Sequence, residues 1–467
     1  MARRERWVVV TTLALLQAMT IITGVYAVQT EFSLAALTRQ APHPAERPTA
    51  SPSVPVITAG PVLASGGDGP LPTKGTLAEL LTDALGDKAL GGSVGAVVLD
   101  ARSGQRIFAA NADAGIVPAS TTKVVTTVAA LASLGPDARL STRVVQGKTP
   151  GSVILVGGGD PTLAGPSAKP TTYPKPASLA TLAGRTAEAL KAKGVKKVTL
   201  GYDTSLYTGS PVAPGWKPSY IPDGNVAPIH ALTIDEAKQN PARSQPRVSN
   251  PPQVAAAAFA KLLGKYGIAV SKSIAPAKAP QGAAELGKVD SPPVYALVEH
   301  ALTFSDNDLS EALARQVAVK EGRPASFEGG SQAVLAVLKR LGVTRGIQIS
   351  DGSGLSTRNR ISADALARLV ALAGSPQHPE LHAVASGMPV AGFSGTLGNG
   401  RRFTTSDSKG QVGLVRAKTG TLNNVNTLAG FATTKDGRLV TFAFMADKVP
   451  ASAEPVLDRL AAIVARS

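Results

Sequence analysis

Cysteine is absent from this 467-residue chain. Its absence excludes disulfide staples, iron–sulfur clusters, thiolate zinc sites and a cysteine nucleophile. Aromatic residues are scarce, at 4%, which argues against a nucleic-acid reader built on base stacking. Acids are outnumbered, 32 against 48 Lys and Arg, for a net charge of +16. That balance favours an anionic partner without saying whether it is nucleic acid, membrane or cell-wall polymer. Hydrophobic residues at 43% and charged residues at 17% describe a globular chain, long enough for about three average domains.

The N-terminus bears on compartment. Arg3, Arg4 and Arg6 precede an uncharged apolar run over 7–28, the basic and apolar regions of an export signal. Val25-Tyr26-Ala27 is an acceptable small-residue cleavage site. The run is also long enough, at roughly 20 residues, to stay as a membrane anchor with its positive charge inside. Either way the protein is expected to work outside the cytoplasm, where nucleic acid is rarely a partner. Residues 29–75 follow, rich in Pro and Ala with no apolar period, and read as a semi-rigid linker.

Folded sequence begins with Leu77, Leu80, Leu81 and Leu85, a helical spacing. Two β-rich runs flank Ser103-Gly104, and two more flank Asp436-Gly437, each pair predicting a hairpin. A helix is expected from about Ala451 to Ala465. Strands at both ends with helices between predict one α+β domain, residues 76–136 and 292–467, whose sheet both ends complete. Residues 137–291 read as a large β-rich insertion, with short strands such as SVILVGG and KKVTLGY and few long helical periods.

Three short motifs carry the chemistry. Ser120-Thr121-Thr122-Lys123 opens an apolar helical run that Gly135-Pro136 stops, and a spacing of three puts Ser120 and Lys123 on one face. A serine hydroxyl needs a base, and a lysine serves if burial or another cation lowers its pKa. The same spacing also describes an N-cap serine beside a surface lysine, and Ser406-Asp407-Ser408-Lys409 repeats it in a polar stretch. Ser305-Asp306-Asn307 precedes a helix for which Asp308 and Glu311 have capping-box spacing. Such a triplet also builds ordinary loops. Lys418-Thr419-Gly420 ends an alternating, strand-like run. A cation and a hydroxyl beside glycine suit a carboxylate-binding strand edge, with the missing side chain admitting substrate backbone.

The order S-x-x-K, S-D-N, K-T-G is that of penicillin-binding proteins and serine β-lactamases. The sequence resembles one branch closely: the class C low-molecular-mass penicillin-binding proteins, D-alanyl-D-alanine carboxypeptidases and endopeptidases. GGGDPTL at 157–163, DGSGLS at 351–356, PVAGFSGTL at 389–397 and AKTGTLNNV at 417–425 carry the likeness, as does the long gap between the first two motifs. It runs from about Leu77 to the end. The resemblance implies a penicillin-binding/serine β-lactamase-like domain, an antiparallel sheet flanked by helices and interrupted by the insertion.

It implies Ser120 as the nucleophile acylated by the penultimate D-alanine of a wall peptide. Lys123 would be its base, kept neutral partly by Lys418. Ser305 would relay the proton to the leaving D-alanine, and Asn307 would hold the peptide amide. Lys418, Thr419 and Gly420 would receive the terminal carboxylate, and the N–H groups of Ser120 and Thr421 would form the oxyanion hole. No metal or organic cofactor is implied. The partners implied are peptidoglycan stem peptides and β-lactam antibiotics as covalent inhibitors.

Other chemistry fits worse. Gly157, Gly158 and Gly159 lack the Lys-Ser/Thr pair of a phosphate loop and read as a turn. His43, His230, His300, His378 and His382 come without a G-x-S-x-G elbow, and Pro379 interrupts the one i,i+4 pair. Two rival functions remain. One is a β-lactamase or D-amino-acid esterase of the same fold; the other is a non-catalytic protein gripping anionic cell-envelope polymers.

Overall fold

The apolar spacing at the start of the folded sequence forms helix α1 (Lys74–Leu85), with Leu77 and Leu81 buried and Leu80 left exposed. The computed structural model describes residue 17 and residues 69–467, apart from 73, 169–172, 244–245 and 399. The export signal or anchor and the linker therefore lie almost wholly outside the described residues. Among the described residues, no helix is long and apolar enough to cross a membrane.

Both predicted hairpins form. β1 (Ser93–Asp100) pairs antiparallel with β2 (Arg106–Ala110), and helix α2 (Thr122–Leu134) follows. The middle of the chain supplies β3 (Ser141–Gln146), β4 (Ser152–Val156), α3 (Leu179–Ala192), β5 (Lys197–Asp203), α4 (Pro251–Lys265), β6 (Ala269–Pro276) and β7 (Glu285–Asp290). Helices α5 (Val294–Thr303), α6 (Asn307–Lys320) and α7 (Phe327–Arg340) come next. A two-stranded ribbon, β8 (Ile347–Gln348) with β9 (Arg360–Ile361), leads to α8 (Ala363–Ala373) and α9 (His382–Gly387). The chain returns through β10 (Val415–Leu422), β11 (Val425–Thr433) and β12 (Leu439–Asp447) to helix α10 (Glu454–Arg466). That last helix opens three residues later than its expected start.

The main sheet has the order β10-β11-β12-β1-β2, antiparallel throughout. Ser93 of β1 lies opposite Asp447 of β12, so the two ends of the fold meet at its centre. Alternation along β1 explains its almost unbroken apolar run, because both faces are covered. Ala96 and Val98 pack with Phe442, Phe444, α1 and α10; Val97 and Leu99 pack with α2, α5 and α8. Each large side chain so buried contributes about 1.5–3 kcal/mol. Helix α2 is buried from Thr122 to Leu131 and runs through this second core, its buried Lys123, Thr126 and Thr127 each hydrogen-bonded.

Among its described residues, the 137–291 segment holds the expected short strands, five in all, and two α-helices besides. Its sheet, order β6-β5-β4-β3-β7, is mixed: β4, β5 and β6 run parallel, while β3 is antiparallel to β4 and β7. Parallel neighbours need crossovers, and α3 and α4 provide them. Leu182, Ala183, Phe259 and Leu263 from these helices pack on Val144, Leu155 and Leu200. The helical period is present in the sequence but written in small residues. Its end signals are clear: Ser178 caps α3 by accepting from Thr181 N, and Asn250 caps α4 ahead of Pro251-Pro252.

Candidate active site

Ser120 sits in a tight turn, Ala119–Thr121, that runs directly into α2. Ala119, before it, is held at φ +48°, a left-handed conformation that side-chain-bearing residues rarely adopt. Such strain persists only where surrounding contacts over-determine it, and it gathers at working sites. Thr121 Oγ1 and Thr427 Oγ1 both donate to the Pro118 carbonyl at 2.7 Å, and Thr122 Oγ1 donates to Ala119 O. The turn is pinned from below, with Ser120 half-buried on its top.

Lys123 is wholly buried. Its Nζ lies 3.1 Å from Ser120 Oγ, 2.7 Å from Asn307 Oδ1 and 2.7 Å from the Ser353 carbonyl. A neutral amine has two hydrogens and one lone pair. The two short contacts are to acceptors without hydrogens, so they take the two hydrogens and turn the lone pair onto the Ser120 hydroxyl. Burial lowers the Lys123 pKa to about 8, against an upward pull from Asp351, Glu311, Asp306 and Asp308. Burial therefore does the lowering that the resemblance assigned in part to Lys418.

Ser305-Asp306-Asn307 enters α6 as expected, but the cap is Asp306, not Asp308. Asp306 Oδ1 accepts from Leu309 N at 2.9 Å. Asp308 instead turns inward, accepting from Ala227 N at 2.8 Å and lying 3.2 Å from Arg247 Nη2. Glu311 is buried and reaches another loop altogether: it accepts from Gly352 N and Ser353 N at 2.9 and 2.8 Å. The capping-box reading fails because the helix opens two residues earlier than the spacing implies: Asp306 caps it alone, with Leu309 where a box would need Glu or Gln. Ser305 is held at φ +58°. Asn307 gives its oxygen to Lys123 and donates from Nδ2 to Asn225 O at 2.8 Å.

Ser305, Asp306 and Asn307 line a cavity of about 740 Å³ with Glu236, Lys238 and His300. Glu236, His300 and Asp306 each turn one ligand-type atom to within 4.8 Å of the others. Lys238 Nζ is 2.6 Å from Glu236 Oε2 and already supplies a cation there. His378 and His382 turn to Glu380 and to the Ser375 carbonyl, not to each other.

The third motif lies on β10, an edge strand of the main sheet. Lys418 is wholly buried and donates to Thr419 O at 2.9 Å; Thr419 Oγ1 is 2.7 Å from Thr396 Oγ1. Burial first, then the charges of Lys123 and Arg402, hold the Lys418 pKa well below its ordinary value. Arg402 stands behind it, bound by Asp458 through Nε at 3.0 Å and Nη2 at 2.6 Å. Gly420 serves a different neighbour from the one expected. A Cβ there would fall 2.6 Å from Pro118 O and 3.1 Å from Ser120 N. The missing side chain admits the protein's own nucleophile turn, not substrate. Thr421 is exposed, and its Oγ1 donates to Glu454 Oε1 at 2.9 Å.

The spacing control behaves as its polar setting predicts: Ser406 and Lys409 are both exposed, beside a short turn at Lys409–Gln411. The Gly157–Gly159 stretch is not the expected turn but an extension of β4: Gly157 N donates to Asp203 O and Gly159 N to Ala231 O, and a Cβ on Gly158 would meet Ser141 O at 2.0 Å. What residue-level reading missed is the loop 351–356. Asp351 accepts from Gly354 N, Ser356 N, Asn359 Nδ2 and Trp216 Nε1, all between 2.7 and 3.0 Å. A Cβ on Gly354, at φ +89°, would fall 1.9 Å from Ala119 O. The run D-G-S-G was the available signal, two glycines around a serine being a loop built for close approach.

Comparison with known proteins bears on family and fold. The family model described as D-Ala-D-Ala carboxypeptidase 3 (S13) matches residues 77–246 and 237–466. Carboxypeptidase DacB of Mycolicibacterium smegmatis is 37% identical over 88% of this chain and 89% of its own. A carboxypeptidase of Mycobacterium tuberculosis is 36% identical over 89% and 88%. Penicillin-binding protein 4 of Haemophilus influenzae shares the fold at a TM-score of 0.68 and 24% identity, covering 81% of this chain and 97% of its own. The chain belongs to the D-Ala-D-Ala carboxypeptidase 3 (S13) family.

Proposed function

We propose that this protein is a serine D,D-peptidase that cleaves the terminal D-alanyl-D-alanine bond of peptidoglycan stem peptides through an acyl-enzyme on Ser120. The observation that carries the reading is the buried Lys123 amine, held between Ser120 Oγ, Asn307 Oδ1 and Ser353 O. Lys123 takes the Ser120 proton as Oγ attacks the penultimate D-alanine carbonyl. The developing oxyanion is met by the N–H groups of Ser120 and Thr421. Ser305 passes a proton to the leaving D-alanine nitrogen, the peptide bond breaks, and water then releases the acyl group. Asn307 holds the substrate amide with its remaining hydrogen, and Lys418 and Thr419 receive the terminal carboxylate. The same chemistry serves a D-alanyl cross-link, which supports endopeptidase cleavage as a second outcome, and the acyl-serine makes β-lactams covalent inhibitors. Release of D-alanine from a synthetic pentapeptide, blocked by prior penicillin treatment, tests the reading. Rapid turnover of penicillin would favour the lactamase alternative instead.

The protonation of Lys123 sets the pH dependence. Its lowered pKa means that the neutral base accumulates above about pH 8. Acylation by penicillin is expected to rise about tenfold per unit below that value and then to level off. A rate constant flat between pH 6 and 10 would remove Lys123 from the base role.

Export, with the 7–28 segment either cleaved or kept as an anchor, is part of the same proposal, supported by its basic and apolar regions. The charge of +16 further supports adsorption to anionic envelope polymers. Purified wall should bind the protein several-fold less at 0.5 M salt than at 0.05 M; binding indifferent to salt would count against it.

A further inference from the structure

The lone pair of Lys123 points at Ser120 only if both hydrogens of the neutral amine are taken elsewhere. One goes to Asn307, a residue of a recognised motif. The other goes to a main-chain carbonyl, Ser353 O, in a loop far from either motif in sequence. A backbone carbonyl is only as well placed as the peptides around it: Asp351 Oδ1 accepts from Gly354 N, in the carbonyl's own peptide, at 3.0 Å, and the two peptides before it are held by Glu311. Glu311 Oε2 accepts from Gly352 N at 2.9 Å and Glu311 Oε1 from Ser353 N at 2.8 Å. Thr126 Oγ1 adds a bond to Gly352 O at 2.7 Å, tying the same peptides to α2 one turn beyond Lys123.

We propose that Glu311 is a positioning residue for this reaction, whose carboxylate fixes the Gly352–Ser353 peptides so that the Ser353 carbonyl orients the Lys123 amine toward Ser120. The inference rests on the acyl-serine reading given above. Both carboxylate oxygens accept from N–H donors, which favours the ionised acid, while burial and the nearby Asp351 push its pKa up to about 8. The site has no slack to do this another way. A Cβ on Gly352 would fall 2.7 Å from Ser310 O, and one on Gly354 would run into Ala119 O, so the loop is wedged between α6 and the nucleophile turn. Glu311 also brings a negative charge to the buried amine, in company with Asp306 and Asp308 of α6 and Asp351 of the loop, and opposite Lys418 of β10.

Geometry and charge separate in two variants. Glu311→Gln removes the charge and sets an amide nitrogen against one backbone N–H. Glu311→Asp keeps the charge but falls short of the loop. Acylation by penicillin is read as a second-order rate constant from pH 6 to 10, per acylable site, beside thermal melting. The plateau rate is expected to drop at least tenfold in both. In the Gln variant alone, the acid limb should also move down by roughly one unit, because the ammonium has lost a stabilising carboxylate. Counting only sites that acylate removes unfolded protein from the comparison. Surviving sites that react at the wild-type rate with an unmoved limb would overturn the proposal and leave Glu311 a merely structural residue. Failure of the wild-type protein to acylate at all is a different result, and would sink the acyl-serine reading itself.

Discussion

Ser120→Ala is expected to abolish covalent penicillin binding and to cut D-alanine release by about 10⁴-fold or more, the scale on which nucleophile removal acts in serine hydrolases. The substitution deletes one oxygen. Lys123 keeps its bonds to Asn307 and Ser353, and Thr121, Thr122 and Thr427 still pin the turn, so stability should change by no more than about 1 kcal/mol. Intact mass after exposure to penicillin reads the result directly: one adduct on the wild type, none on the variant. An adduct on the alanine protein would place the acylating residue elsewhere. An unreactive wild type that consumes no penicillin would favour the wall-binding alternative.

Asp458→Ala is expected to produce the largest loss of stability, about 3–5 kcal/mol. Asp458 and Arg402 are both buried, and burial raises the Asp458 pKa even against the neighbouring guanidinium. A pair in that condition adds little to stability, but losing one partner strands the other charge in the core. Asp458 Oδ2 also accepts from Phe403 N at 2.8 Å, so the segment leading to β10 loses one of its ties to α10. Acylation should fall as well, because an unbalanced Arg402 acts on Lys418. Thermal melting checks the first effect. A midpoint within a degree of wild type would refute it, and an apolar pair at both positions should recover much of the loss.

The sequence was most legible where the argument is local. Ser120 and Lys123 lie three apart on one helix, so their meeting follows from helical geometry. The strand character of the Lys418 run and both hairpins follow from alternation and turn residues. Glu311 shows the limit: its spacing to Asp308 is a sound capping signal, and nothing local says that its carboxylate instead serves peptides 41 and 42 residues away. Gly420 shows another. That it must be glycine was readable; that the neighbour needing the room is the Pro118 turn was not. In the 137–291 segment, alanine-rich helices bury small surfaces and leave a weak periodic signal, while the intervening strands are easily seen.

The antiparallel pairing of β1 with β12 has a consequence in time. Val117 N donates to Asp447 Oδ2 across 330 positions, and the strand that carries Lys418 joins the sheet through the same C-terminal hairpin. Contacts so distant form slowly, because the loop between them must close before they give anything back. A chain made from its N-terminus therefore carries Ser120 and Lys123 through most of its synthesis without the sheet that completes their site. Reactivity arrives last, as a property of the finished molecule, and a chain cut short before β12 would hold its nucleophile in an unassembled site.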